Sequence, residues 1–161
     1  MIATDIADRF RVFLFLLAGF LFTGTIVELL TLEHDESAMQ LVPYALCLLS
    51  IVALVVVWRW RSTVVLWAFR GFMLSVMAGS LLGVFEHIDG NMEFVQELDP
   101  SASRWTLLRE GLTGGAPMMA PGILAIGAVV SIAATYSWEP QVASERSRAG
   151  APTSWRPEQQ T

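Results

Sequence analysis

Residues 62–85 read STVVLWAFRGFMLSVMAGSLLGVF, and a single charged side chain, Arg70, interrupts the run. As an α-helix this stretch would be about 36 Å long, enough to cross a hydrocarbon core of about 30 Å. Three more apolar runs accompany it, at roughly Val12–Leu32, Leu41–Trp58 and Pro117–Tyr136. Only helices and closed barrels satisfy every backbone group in lipid, and unbroken runs of this length do not suit barrel strands. The expected fold is therefore all-α: a membrane bundle of four transmembrane helices at about 12–32, 41–58, 62–85 and 117–136. An outer loop at 86–116 and a polar tail at 139–161 complete the plan.

Composition agrees. The 161 residues are 54% hydrophobic and only 16% charged, where a soluble domain carries about 25% charge. The chain has no lysine, so orientation is read from arginine. Arg9, Arg11, Arg59, Arg61, Arg146, Arg148 and Arg156 fall on one side of the spans, against Arg104 and Arg109 on the other. An excess of positive charge marks the cytoplasmic side, which puts both termini inside a bacterial cytoplasmic membrane. Trp58, Trp60, Tyr136 and Trp138 suit the inner interface, and Tyr44 and Trp105 the outer one, where amphipathic rings anchor helices.

The net charge of −5 belongs mainly to the outer segments, which hold Glu33, Asp35, Glu36, Glu86, Asp89, Glu93, Glu97, Asp99 and Glu110. Nucleic acid is excluded as a partner, because its phosphates need basic surfaces. Cations or a basic partner would be attracted. Cys47 is the one cysteine, so no intrachain disulfide is expected. The first run is too long for a signal-peptide core, and no convincing small-residue cleavage site follows it, so it is expected to stay as an anchor.

Small residues recur every four positions in the third run, at Gly71, Ser75, Gly79 and Gly83, and again in the fourth at Gly127, Ser131 and Thr135. Such stripes let helix backbones approach closely where no hydrophobic effect drives association. They are expected to pack helices, either within this bundle or against another subunit. In the outer segment, Asp99-Pro100 resembles a helix cap with proline in the first turn, and Gly114-Gly115 a helix end. Trp105, Leu108 and Leu112 share one face of that short helix, which suits an amphipathic helix in the membrane interface.

The two histidines each follow a glutamate, in Glu33-His34 and Glu86-His87, and both pairs end an apolar run on the outer side. Imidazole and carboxylate together suit zinc, iron or manganese. Glu28, Glu33, His34, Glu86, His87 and Glu93 are the ligands such a site would draw on. Adjacent residues on a helix point about 100° apart, however, so Glu-His does not place both on one face. The Glu-x-x-His spacing of di-iron bundles is absent. A polar rim where helices leave the membrane is the plainer reading. Two charges lie deeper, Glu28 near the outer end of the first run and Arg70 near the inner end of the third. Charges at such depth are costly and often functional, but these two sit at different heights, with no polar chain between them. Arg70 is expected to snorkel toward lipid phosphate or to pair with another subunit.

The stretches Gly90-Asn-Met-Glu-Phe-Val-Gln-Glu-Leu-Asp-Pro100 and Leu112-Thr-Gly-Gly-Ala-Pro-Met-Met-Ala-Pro-Gly122, with the Glu-His-Asp-Glu-Ser turn and Gln40-Leu-Val-Pro43, carry a resemblance. Over residues 25–138 the chain resembles a group of small bacterial four-span membrane proteins of uncharacterised function. The resemblance implies the topology and a structured outer segment, and no activity.

No phosphate loop, nucleophile elbow or dinucleotide fingerprint occurs, and no enzyme activity or cofactor is expected, only lipid contacts. The reading that follows is a non-catalytic accessory subunit of a larger membrane complex. Photosynthetic and respiratory assemblies are the kind that carry such small subunits. Other integral membrane subunits would then meet the small-residue faces and the tail. Two alternatives stand beside it: a metal-binding or cation-handling protein using the outer Glu and His residues, and a small transporter using Glu28.

Overall fold

The computed structural model describes residues 2–32, 40–115, 119–136 and 138, and its helices are α1 (Ile2–Thr31), α2 (Leu41–Arg59), α3 (Thr63–Leu98), α4 (Arg104–Thr113) and α5 (Met119–Ala134). No strand occurs among the described residues. Three of the helices, α1, α2 and α3, are long and apolar enough to cross a membrane. α5 is equally apolar but only 16 residues long, about 24 Å at helical rise. The tail at 139–161 lies outside the described residues.

α1, α2, α3 and α5 pack in a ring in that order, with α5 wedged between α1 and α3. The buried interior is a single cluster that includes Phe22, Cys47, Val57, Met73, Val76 and Ala128. The outward surfaces of α1 and α2 are apolar as well, with Phe13, Leu16, Phe20, Leu48, Val52 and Val55 exposed. A surface apolar on its outside as well as its inside is compatible with a helix bundle in lipid.

Three buried hydroxyls are satisfied without leaving their own helices. Thr25 donates to the Leu21 carbonyl, Ser80 to Val76 and Ser131 to Gly127. Each bond spans one turn, so a polar side chain enters the core at little cost.

Two expectations are corrected. The third apolar run does not give way to a loop after Phe85, because α3 continues for 13 residues to Leu98. Ile88, Met92 and Val95 fall at helical spacing and, with buried Asn91, form a face that packs on α4. The second correction concerns where α4 begins. Asp99 and Pro100 do not start it; they open a turn in which the Ala102 amide donates to the Asp99 carbonyl at 3.0 Å. Aspartate followed by proline is the preferred opening of such a turn. The Asp99 carboxylate is taken by the amide and hydroxyl of Ser101, at 2.9 and 2.7 Å. Ser103 caps α4 instead, its hydroxyl accepting from the Thr106 amide at 3.1 Å. α4 ends at Gly114, where the glycine pair placed it.

α4 turns back against the outer part of α3. A Cβ at Gly111 would lie 2.7 Å from Met92 Cγ, and one at Gly114 2.7 Å from Asn91 Cγ. The Asn91 amide donates to the Gly111 carbonyl at 3.2 Å. The outer segment is thus a helical hairpin joined through two glycines.

Candidate functional site

A cavity of about 760 Å³ lies between the C-terminal end of α1, the N-terminal ends of α2 and α5, and the middle of α3. Each helix contributes the residues that its register turns inward. α1 supplies Leu29 and Leu32, and α2 supplies Val42, Pro43 and Leu46 from its first two turns. α5 supplies Ala120, Pro121 and Leu124. α3 lines the cavity along Gly79, Ser80, Leu82 and Gly83 and ends it with Glu86 and His87. Gln40 stands at the same end, just before α2. A concave, mostly apolar space with a few polar groups at one end is the usual form of a small-molecule site.

One of the two Glu-His pairs therefore belongs to a real concavity. Glu86 is exposed and His87 half-buried at its rim, while Glu93 is exposed two turns further along α3. Glu33 and His34 lie outside the described residues. Among the described residues no three His, Cys, Asp or Glu side chains group as metal ligands.

The small-residue stripe divides between two environments. Gly71, Ser75 and Gly79 are exposed, and a Cβ on either Gly71 or Gly79 would meet nothing within 4 Å. Gly83 touches Pro121, whose Cβ would be 3.4 Å from a Cβ placed there. On α5 the approach is far closer. A Cβ at Gly127 would lie 2.9 Å from Phe22 Cε1, and Ser131 beside it is fully buried.

At the opposite end of the bundle, Arg70 finds acceptors within the chain itself. Its Nε donates to Thr135 Oγ1 at 3.2 Å, and a terminal nitrogen donates to the Thr135 carbonyl. The guanidinium also lies 5.3 Å from the Trp67 ring centroid. Thr135 follows the last residue of α5, a helix that stops after 16 residues. A helix end leaves its last carbonyls unpaired, and at membrane depth no water is present to take them. Arg70 supplies the donors. Sequence reasoning found the buried charge but not its partner, 65 residues away.

Beyond Thr135 the chain reaches Trp138, which is held in a cage. Phe15 and Trp58 lie 5.4 and 5.9 Å from its ring centroid, and Arg11 and Arg61 stack at 5.2 and 5.1 Å. Trp58 and Trp138, expected as separate interfacial anchors, thus pack on one another. Trp60 is exposed beside Arg59, and Trp105 is exposed on α4. Glu28 is half-buried near the outer end of α1.

No protein-family model, curated protein or solved structure matches the chain. Its function is therefore argued from this geometry.

Proposed function

We propose that the protein is a non-catalytic accessory subunit of a larger bacterial membrane complex and docks a partner through the α3–α4 hairpin. In this reading the run 117–136, which contains α5, is the fourth span, and both termini are cytoplasmic. The observation that carries the proposal is the length of α3. Its 36 residues measure about 54 Å, some 24 Å more than the hydrocarbon core. Arg59, Trp60 and Arg61 hold its start at the inner interface, so the excess projects from the outer face. Leu98 then stands about 20 Å beyond Phe85, clear of a headgroup layer about 6 Å deep. A tilt of about 20° shortens that height by only a few per cent.

At this height the hairpin keeps large apolar side chains uncovered. Leu98 is 72% exposed and Trp105 74%, with Phe94 and Leu108 exposed near them. Lipid does not reach them, and water is a poor solvent for them. A protein surface that buries them removes the cost. The exposed Gly71, Ser75 and Gly79 stripe offers a second contact, within the membrane, for a helix of the same partner.

Mild-detergent extracts of native membranes, resolved by native electrophoresis, test the reading. The chain is expected in an assembly containing a second kind of subunit, and Leu98→Asp with Trp105→Glu is expected to release it. A wild-type chain that runs as a monomer, or only with copies of itself, overturns the proposal.

A further inference from the structure

The cavity at the outer end of the bundle separates its polar and apolar surfaces more sharply than a packing defect would. Its depth is apolar: Leu29, Leu46 and Leu124 form the walls, with the ring carbons of Pro43 and Pro121. Neither proline carries an N–H. Among the described lining residues the one hydroxyl, that of Ser80, is committed to the Val76 carbonyl at 2.7 Å. The other side-chain hydrogen-bonding groups among them are Gln40, Glu86 and His87, all at one end. From Gly79 to His87 the lining of α3 spans about 12 Å along its axis. The space has one wet end and one dry end.

Size and charge narrow the occupant. At about 30 Å³ for each water-sized unit, 760 Å³ takes roughly 25 non-hydrogen atoms. The rim carries the Glu86 carboxylate, Asp89 and Glu93 follow on the same helix, and no arginine is among the described lining residues. An anionic head placed there meets like charge, which is unfavourable. The side chains of Gln40 and His87 make the same end polar without adding an anion. The absent side chains of Gly79 and Gly83 widen the floor, and a Cβ at Gly79 would meet nothing within 4 Å.

We infer that this cavity is a binding site for an uncharged amphiphile, its apolar body between the four helices and its oxygen-bearing head at the Gln40–Glu86–His87 rim. Isoprenoid quinones and neutral glycerides both have this chemistry. The inference does not depend on partner docking: the hairpin lies apart from the cavity, the two readings share Gly79 alone, and docking is read by assembly size rather than by ligand binding.

The test uses the purified full chain in detergent micelles, with ligand occupancy read by native mass spectrometry. Three probes are titrated: a decyl-chain ubiquinone, a monoacylglycerol, and the phosphate ester of that monoacylglycerol. Saturable binding of one uncharged probe per chain is expected, and whichever probe saturates identifies the source. The anionic ester is expected to bind about tenfold more weakly or worse, and Glu86→Gln to narrow that gap. Gly79→Leu, which fills the floor from an open position, is expected to abolish binding while helix content and unfolding temperature hold. Leu82→Trp blocks the cavity from an exposed lining position and serves if Gly79→Leu fails to fold. Three results overturn the inference: no saturable binding of either uncharged probe, anionic binding as tight as neutral, or undiminished binding by a folded cavity-filling variant.

Discussion

Arg70 and Thr135 tie α3 to the end of α5 through two hydrogen bonds, one from Nε to the Thr135 hydroxyl at 3.2 Å and one to its carbonyl. The pairing explains how a charge tolerates its depth in the bundle. α5 ends short, its terminal carbonyls face an environment without water, and a guanidinium is the side chain best equipped to donate to several acceptors at once. A cation at a helix C-terminus also opposes the negative end of the helix dipole.

Arg70→Met should therefore destabilise the protein by about 2 kcal/mol, the scale of a lost charged hydrogen bond at a helix end. Arg70→Lys should recover only part of this, because a single ammonium cannot reproduce the forked geometry. Thermal unfolding in detergent reads both variants. A Met variant as stable as wild type would show that the Thr135 carbonyl needs no donor.

Between α1 and α5 the helices approach closely at Gly127 and Phe22, where an added Cβ would sit 2.9 Å from the ring. Phe22 is fully buried and a flat ring has little room to retreat. Gly127→Val is expected to cost about 1–3 kcal/mol through overpacking. Combining it with Phe22→Leu should recover part of that loss, and a double-mutant cycle measures the coupling. Strictly additive effects would mean that the two residues do not share the contact.

In the hairpin, Gly111 has no space for a side chain against Met92 and Ile88. Gly111→Val should separate α4 from α3 and raise protease cleavage within 99–113, leaving the unfolding of the bundle core nearly unchanged. Gly71→Ala, where a Cβ meets nothing, is the matched control and should leave cleavage at the wild-type rate. Equal cleavage in the two variants would contradict the α3–α4 packing.

The Ser101 hydroxyl and amide hold the Asp99 carboxyl below its ordinary value. A carboxyl depressed in the folded state stabilises it fully above the unfolded value of about 3.9, and the contribution is lost as pH falls through the lower folded value. Amide exchange at Ser101 should therefore accelerate, beyond its intrinsic pH dependence, on acidification below about pH 4. In Asp99→Asn that excess acceleration should vanish. Its persistence in the variant would move the cause elsewhere.

Much of the helical plan was legible because its causes are local. Ser62 caps the start of α3 from the residue before it, its hydroxyl accepting from the Val65 amide at 3.2 Å. Gly114 ends α4 as its glycine pair indicates. The extension of α3 was missed because Glu86, Asp89, Glu93 and Glu97 look like a solvated loop. Ile88, Met92 and Val95 carried the opposite signal at helical spacing. The start of α4 was misplaced because Asp99 and Ser103 are both competent caps, and the choice fell to the turn that consumed the Asp99 carboxylate. Glu86 and His87 stood out in the sequence for their chemistry, but the cavity beside them was invisible, since its walls come from four separate helices.

The sequence by itself determined which segments are helical and apolar, since backbone hydrogen bonds within a turn and the hydrophobicity of a run depend only on near neighbours. It also supplied a stripe of small residues without saying what would lie against it. Tertiary structure decided that Gly127 receives a ring while Gly79 faces open space, that Arg70 completes a helix end 65 residues away, and that residues of four helices surround a cavity. These are properties of which helices adjoin and where each one stops. Residue spacing within a single helix cannot encode them.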